Sequence, residues 1–180
     1  DISRSYGAKA PFLRPAQLSN DHCGINDVLS HAVLWLEDNN YEVENVCCVY
    51  PTSLFIQKDE LIKGFEILKS GSWSYVFSAT SFAYSIFRSF KQNKDGGVEM
   101  LFPEFYNSRS QDLQVVYHDA AQFYWAKPLT WKSKKRIFNK NSYPFLLPNW
   151  RVQDIDDEQD FIKAELLFKS LIEKNNESKS

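Results

Sequence analysis

Apolar residues recur at helical spacing in three parts of the chain, and each predicts an amphipathic helix. The first runs from about residue 26 to residue 38, where Asn26 or Asp27 can cap the free backbone amides. The second begins near Asp59 and ends just before Gly71. The third closes the chain and carries its apolar face on Phe161, Ala164, Leu167, Phe168 and Leu171.

Short apolar runs between these helices predict strands. Residues 46–50 are apolar without alternation, as expected of a strand covered on both faces in a parallel sheet. With the second helix and the run at 75–79, they form a βαβ unit. Two extended flanks, 86–91 and 98–102, surround a glycine-bearing turn and predict an antiparallel hairpin. Further short strands are predicted at 123–125 and 145–147.

The composition is that of one globular α/β domain, over residues 1–174, with a polar tail at 175–180 that we expect to be disordered. The net charge of −2 argues against a nucleic-acid partner, and the basic cluster at 132–136 fits a surface turn or helix end. No apolar run approaches the roughly 20 residues that span a membrane, and there is no signal peptide. Three cysteines without a disulfide framework favour the cytoplasm.

Two carboxylates immediately before the last helix are the strongest candidates for chemistry. In an extended segment Asp154 and Asp156 would point to the same side, with Ile155 turned to the core. Such a pair suits Mg²⁺, which completes its shell with water and substrate phosphates. The same residues also resemble a helix N-terminus, with Asp156 or Asp157 as the cap. Spacing alone leaves both interpretations open.

A second polar cluster follows the predicted hairpin. There Arg109 could grip a carboxylate with two hydrogen bonds, or it could simply pair with Asp112 in a surface loop. His118 and Asp119 could form an acid–base pair, but neighbours in a strand face opposite ways, which disfavours a catalytic His118. These residues indicate an α/β domain with a candidate metal–phosphate site, and they identify no substrate.

Six motifs in order give the chain a family resemblance over about residues 6 to 167. The chain resembles the acylneuraminate cytidylyltransferases, and within them it looks most similar to pseudaminic acid cytidylyltransferases. The motifs are the segments 6–15 with 18–21, 47–52, 77–80, 108–113, 117–120 leading to 122–125, and 151–156.

The resemblance implies a three-layer, nucleotide-diphospho-sugar-transferase-like (Rossmann-like) α/β fold with a mostly parallel sheet. It implies a β-hairpin dimerisation arm at about 86–105, and therefore a homodimer. In this family the 2-hydroxyl of a nonulosonic acid attacks the α-phosphate of CTP, giving a CMP-sugar for glycan synthesis and pyrophosphate. The cofactor implied is Mg²⁺.

The resemblance also implies roles for individual residues. Asp154 and Asp156 match the catalytic carboxylates that hold the metal. Arg14 and Asp21 match the nucleotide site. The positions that match the sugar pocket are Tyr50, Arg109, Gln111, Asp119 and Phe123.

The chain also departs from the family pattern. The family's opening strand and its phosphate-binding loop have no counterpart, so we expect this chain alone to be inactive and poorly stable. Ile25 stands where relatives usually carry a hydroxyl, and Ala121 stands for a glycine; both changes bear on nucleotide binding. The alternatives are activation of N-acetylneuraminic or legionaminic acid, and a non-catalytic remnant that dimerises or binds sugar.

Overall fold

The computed structural model describes residues 1–20 and 22–177. The helices are α1 (Ile2–Ser5), α2 (Ile25–Asp38), α3 (Lys58–Ser70), α4 (Pro128–Lys132) and α5 (Glu158–Glu177). The strands are β1 (Val46–Val49), β2 (Tyr75–Ser81), β3 (Phe90–Gln92), β4 (Val98–Met100), β5 (Tyr117–Ala126) and β6 (Ser142–Leu146).

The chain divides into two compact units. The first, here called the helical unit, comprises Asp1–Val46 and Ala126–Lys140. The second, here called the sheet unit, comprises Cys47–Trp125 and the chain from Asn141 onwards.

Helix α2 of the helical unit confirms the first predicted helix, but its predicted cap was wrong. The N-cap residue is Gly24, and no side chain caps the helix. The Asn26 side chain donates instead to the carbonyl of Lys135 at 3.0 Å. Asp27 pairs with Lys134 at 2.5 Å. Both candidate caps are therefore engaged by the segment that follows α4.

The core of the helical unit lies between α2 and α4. Val33 and Trp131 are completely buried, and Lys132 forms an ion pair with Glu37 at 2.8 Å. The basic cluster at 132–136 follows the end of α4, which confirms it as a helix end and turn.

The sheet unit is built on a four-stranded sheet in the order β1-β5-β2-β6. Strands β2 and β6 are parallel, with Tyr75 opposite Ser142 and Ala79 opposite Leu146. Strand β2 is buried from Tyr75 to residue 80 because it lies between two other strands. Strand β1 lies at one end of the order and Val49 is 45% exposed, so the prediction of a strand covered on both faces was wrong.

Strand β5 is longer than the three residues predicted and runs against β2. The Ser78 hydroxyl accepts the backbone N–H groups of Gln122 and Phe123, both at 3.0 Å. Four residues further along, the N–H of Phe82 donates to the carbonyl of Val116 at 3.1 Å. The partner positions therefore move in opposite directions. The sheet is mixed, and the predicted α/β class is confirmed.

The predicted hairpin is present as β3 and β4, an antiparallel pair in which Phe90 faces Met100 and Gln92 faces Val98. These four positions share one face, because side chains alternate along a strand. Lys91 and Glu99 occupy the opposite face and pair at 3.1 Å.

Helix α3 packs closely against β5. A Cβ at Gly64 would lie 3.0 Å from the Phe123 ring and 3.2 Å from that of Trp125. Glycine therefore lets the helix approach the sheet. The helix ends at Ser70, just before Gly71 as predicted, but its N-cap residue is Gln57, whose side chain makes no capping hydrogen bond, and Asp59 lies within its first turn.

Helix α5 confirms the third predicted helix. Ala164 is buried, whereas Phe161 and Phe168 are half exposed. The helix includes residues 175–177 of the predicted polar tail, and 178–180 lie outside the described residues. Within the described chain, no helix combines the length and the apolar character required to traverse a bilayer.

Candidate functional site

Three side chains of the sheet unit meet where β1 ends beside β5. The Tyr124 hydroxyl donates to Oδ2 of Asp119 at 2.5 Å. The backbone N–H of Ala121 donates to Oδ1 of the same carboxylate at 3.0 Å. The ring of Tyr50, the residue after β1, lies 5.3 Å from that of Tyr124. The structure thus brings together two predicted sugar-binding residues, Tyr50 and Asp119, with Tyr124 between them.

The electrostatics of Tyr50 connect this cluster to the predicted metal carboxylates. Burial is the largest cause that raises the pKa of Tyr50, followed by the neighbouring Cys48. The negative charges of Asp119 and Asp154 raise this pKa further. Asp154 therefore lies within electrostatic reach of the Tyr50 hydroxyl.

In the loop before α5, the aspartate that caps the helix is not one of the two proposed metal ligands. The Asp157 carboxylate accepts the backbone N–H of Asp160 at 2.9 Å, which is the contact of a helix cap. A hydrogen bond from Lys163 is the main cause that lowers the pKa of Asp160. Asp154 and Asp156 are exposed, while Ile155 is half-buried as predicted. Of the two aspartates predicted as possible caps, Asp157 caps α5. The Asp156 carboxylate is therefore available to a ligand.

A buried ion pair holds the chain just before this loop. The Arg151 guanidinium pairs with Glu60 of α3, and both side chains are close to nine-tenths buried. The Gln122 side chain donates to the Arg151 carbonyl at 3.1 Å. Gln122 belongs to β5, so the loop that carries Asp154 is anchored to both the helix and the sheet.

The carboxylates fit a magnesium ion that is shared with a substrate. Among residues 1–20 and 22–177, no cluster of three or more His, Cys, Asp or Glu side chains could hold a metal. Mg²⁺ commonly takes only one or two protein carboxylates and completes its shell with water and substrate phosphates. Asp154 and Asp156 are exposed, and within the described chain neither forms an ion pair with a cationic side chain.

Other predicted sugar-pocket residues lie on the surface that follows the hairpin. Arg109 holds Asp112 with two hydrogen bonds, at 2.7 and 3.2 Å. The alternative of an Arg–Asp surface pair therefore describes the structure. Gln111 is exposed and lines a cavity of about 710 Å³ with Ser85 and Arg88.

The predicted nucleotide-binding residues belong to the helical unit. The Arg14 side chain is exposed and donates to the Ser19 hydroxyl at 3.2 Å. Asp21 lies outside the described residues. Ile25, one of the predicted departures from the family pattern, is the first residue of α2.

Phe123, which was predicted to contact the sugar, lies in the core. Its side chain is completely buried and packs against Phe145, with ring centres 5.6 Å apart. Successive residues of a strand face opposite sides, so the neighbouring Tyr124 points to Asp119 instead. The sequence places Tyr124 in a strand and in a family motif but predicts no role for it. Its polar hydroxyl within a largely apolar run was the available signal.

Ala121 adopts a backbone conformation that favours glycine over a residue with a Cβ atom. Its φ angle is +50°, in the left-handed region that disfavours a residue with a Cβ atom. This conformation aims the Ala121 N–H at the Asp119 carboxylate. The departure from the family pattern therefore keeps the contact but adds backbone strain.

Known proteins similar to this chain share one activity in their names. Pseudaminic acid cytidylyltransferase of Campylobacter jejuni serotype O:2 is 38% identical over 169 residues, covering 94% of this chain and 73% of its own length. The enzyme of the same name from serotype O:23/36 is 37% identical over the same length.

A Helicobacter pylori protein is 35% identical over 156 residues, 86% of this chain and 29% of its own length. It is named pseudaminic acid cytidylyltransferase and UDP-2,4-diacetamido-2,4,6-trideoxy-beta-L-altropyranose hydrolase. No protein-family model matches the chain. The similarity to the two Campylobacter enzymes extends over nearly the whole chain at more than a third identity, and the chain belongs to the pseudaminic acid cytidylyltransferase family.

Proposed function

We propose that the protein activates pseudaminic acid with CTP. The 2-hydroxyl of the sugar attacks the α-phosphate of CTP, a phosphorus–oxygen bond to the sugar forms, and pyrophosphate leaves with the bonding electrons. The hydroxyl proton is lost as the bond forms. The observation that carries this proposal is the similarity to pseudaminic acid cytidylyltransferases along most of the chain.

Asp154 and Asp156 would hold Mg²⁺ in this reaction. When bound, the ion supplies positive charge that offsets the charge developing on the leaving pyrophosphate. Support comes from their exposure and from the assignment of helix capping to Asp157. The ion pair between Arg151 and Glu60 would keep the two carboxylates in place.

The sugar would be recognised by Tyr50, Asp119 and Arg109. Tyr50 and Asp119 offer a hydroxyl and a carboxylate group, and the charge of Asp154 acts on Tyr50. Arg109 donates two hydrogen bonds to the carboxylate of Asp112, and the same geometry suits the carboxylate of a nonulosonic acid. In the helical unit, Arg14 is proposed to contact the nucleotide, together with Asp21.

We infer that the hairpin is a dimerisation arm. Phe90 is 62% exposed and Val98 is 66% exposed, on the face opposite the pair of Lys91 and Glu99. A two-stranded hairpin is marginally stable in water unless its apolar face packs against something, and a second copy of the chain would cover this face.

A cytoplasmic location is proposed because the three cysteines are free.

The direct test is pyrophosphate release by the full-length native protein with CTP, Mg²⁺ and one sugar at a time. Pseudaminic acid should give the highest kcat/KM. A higher value for N-acetylneuraminic or legionaminic acid would reassign the sugar. Absence of Mg²⁺-dependent release with every sugar would refute the enzymatic function and favour a binding module.

Two neighbouring carboxylates provide a matched test of the metal site. Asp156→Asn should lower kcat/KM by roughly 10²–10³-fold and raise the Mg²⁺ concentration needed for half-maximal rate, because a metal ligand is weakened. Asp157→Asn should leave the Mg²⁺ dependence unchanged and change the unfolding free energy by less than about 1 kcal/mol, because asparagine keeps the oxygen that caps α5. Equal Mg²⁺ dependence in both variants would remove Asp156 from the metal shell.

A further inference from the structure

Tyr124 carries a hydroxyl group in a position where phenylalanine would fill the same space. The residue is 1% exposed, and its ring stacks on that of Phe77 at 10° with 6.5 Å between centres. A buried hydroxyl without a partner is destabilising, so its presence calls for a specific contact. That contact is Oδ2 of Asp119, at 2.5 Å.

The protein donates one hydrogen bond to each oxygen of Asp119. Tyr124 donates to Oδ2, and the Ala121 N–H donates to Oδ1 at 3.0 Å. Two donors on different oxygens fix both the position and the rotation of the carboxylate. An ionised carboxylate has about four acceptor positions, so the two that remain can accept hydrogen bonds from a ligand. Asp119 is only half-buried, which leaves these positions accessible.

Tyr124 also reaches the residue that follows β1. Its ring lies 5.3 Å from that of Tyr50, at 45°, so the two side chains pack against each other. Burial, then the hydrogen bond to Asp119, raises the pKa of Tyr124. The hydroxyl therefore keeps its proton at neutral pH and remains a donor.

We propose that Tyr124 is a positioning residue that holds Asp119 and Tyr50 in the orientation in which they recognise hydroxyl or amide N–H groups of the sugar. This inference rests on the proposed function and deepens it, because it identifies what fixes the sugar-recognising groups. Tyr124 acts through these two side chains and does not itself touch the sugar.

The test compares two substitutions that each remove one buried tyrosine hydroxyl from the full-length native protein. Tyr124→Phe should raise the KM for pseudaminic acid about tenfold, since hydrogen bonds to charged groups are among the stronger ones, and leave the KM for CTP within about twofold. Tyr75→Phe is the control, because Tyr75 is equally buried but stands opposite Ser142 at the start of β2. The proposal is overturned if the sugar KM of Tyr124→Phe stays within twofold of wild type, or if the control raises it equally.

A double-mutant cycle distinguishes a positioning role of Tyr124 from a general loss of packing around it. In an Asp119→Asn background, Tyr124→Phe should change the sugar KM by less than about threefold, because the shared contact is already weakened. Additive effects of the two substitutions would contradict the proposal.

A second measurement does not depend on the activity. Hydrogen exchange of the Ala121 amide, which donates to Asp119, should be about tenfold faster in Tyr124→Phe and unchanged in Tyr75→Phe. Unchanged exchange in Tyr124→Phe would overturn the proposal. If the wild-type protein activates no sugar, the proposed function fails, and the exchange measurement still decides whether Tyr124 orients Asp119.

Discussion

Replacing Ala121 with glycine should stabilise the protein, although such a replacement usually destabilises a strand. The φ angle of Ala121 is +50°. For a residue with a Cβ atom the left-handed conformation costs roughly 1–2 kcal/mol. Glycine removes this strain but loses more conformational entropy on folding, which costs about 0.5–1 kcal/mol. The net gain in the free energy of unfolding is about 0.5–1 kcal/mol.

Ala120 provides the matched control for this substitution. It is adjacent in β5 and 2% exposed, and its φ angle is not positive. Ala120→Gly removes a buried methyl group, which costs about 0.8 kcal/mol, and adds the entropy cost of about 0.5–1 kcal/mol. We therefore expect it to lower the unfolding free energy by about 1.5 kcal/mol.

Urea unfolding followed by tryptophan fluorescence measures both variants. The midpoint should rise for Ala121→Gly and fall for Ala120→Gly, with the same dependence on urea concentration as the wild type. In thermal unfolding, Ala121→Gly should raise Tm by about 2 °C. If both variants are destabilised to a similar extent, the left-handed backbone at Ala121 stores no strain that glycine relieves.

Two further predictions share one control, Glu99→Gln, which removes an exposed ion pair from the polar face of the hairpin. Glu60→Gln should lower the unfolding free energy by about 3 kcal/mol because it leaves the buried Arg151 guanidinium without a counter-ion. Glu99→Gln should lower it by less than about 1 kcal/mol. Similar losses of both variants in thermal unfolding would show that burial of the Arg151–Glu60 pair contributes nothing. If the hairpin is the proposed dimerisation arm, Val98→Glu should give a monomer in light scattering because it places a charge on the exposed apolar face, and Glu99→Gln should be dimeric. A Val98→Glu protein of unchanged mass would exclude this face as the dimer contact.

The sequence by itself determined the elements whose signals are local. The helical period of apolar residues specifies α2, α3 and α5, and the glycine-bearing turn specifies the hairpin. The motifs also determined the family, which the similarity to known cytidylyltransferases confirms. Asp154 and Asp156 were singled out because two carboxylates stand together immediately before a helix.

Side chains with several potential partners were decided only by the tertiary structure. Asp27 and Asp59 are good capping residues by type, but neither caps its helix. Asp27 pairs with Lys134, which is distant in the sequence. A helix-capping propensity reflects only residues that are near in the sequence, and a contact between distant parts of the chain can override it.

Strand β5 shows most clearly what the sequence could not determine. Alternation predicts that Phe123 and Tyr124 face opposite sides, but it does not tell which side is the core. The close approach of α3 at Gly64 assigns Phe123 to the core. Tyr124 is thereby directed to Asp119, and the left-handed backbone at Ala121 adds the second donor to that carboxylate. The residues of the candidate site were readable from the sequence, whereas their orientation depends on helix-to-sheet packing, which joins distant parts of the chain.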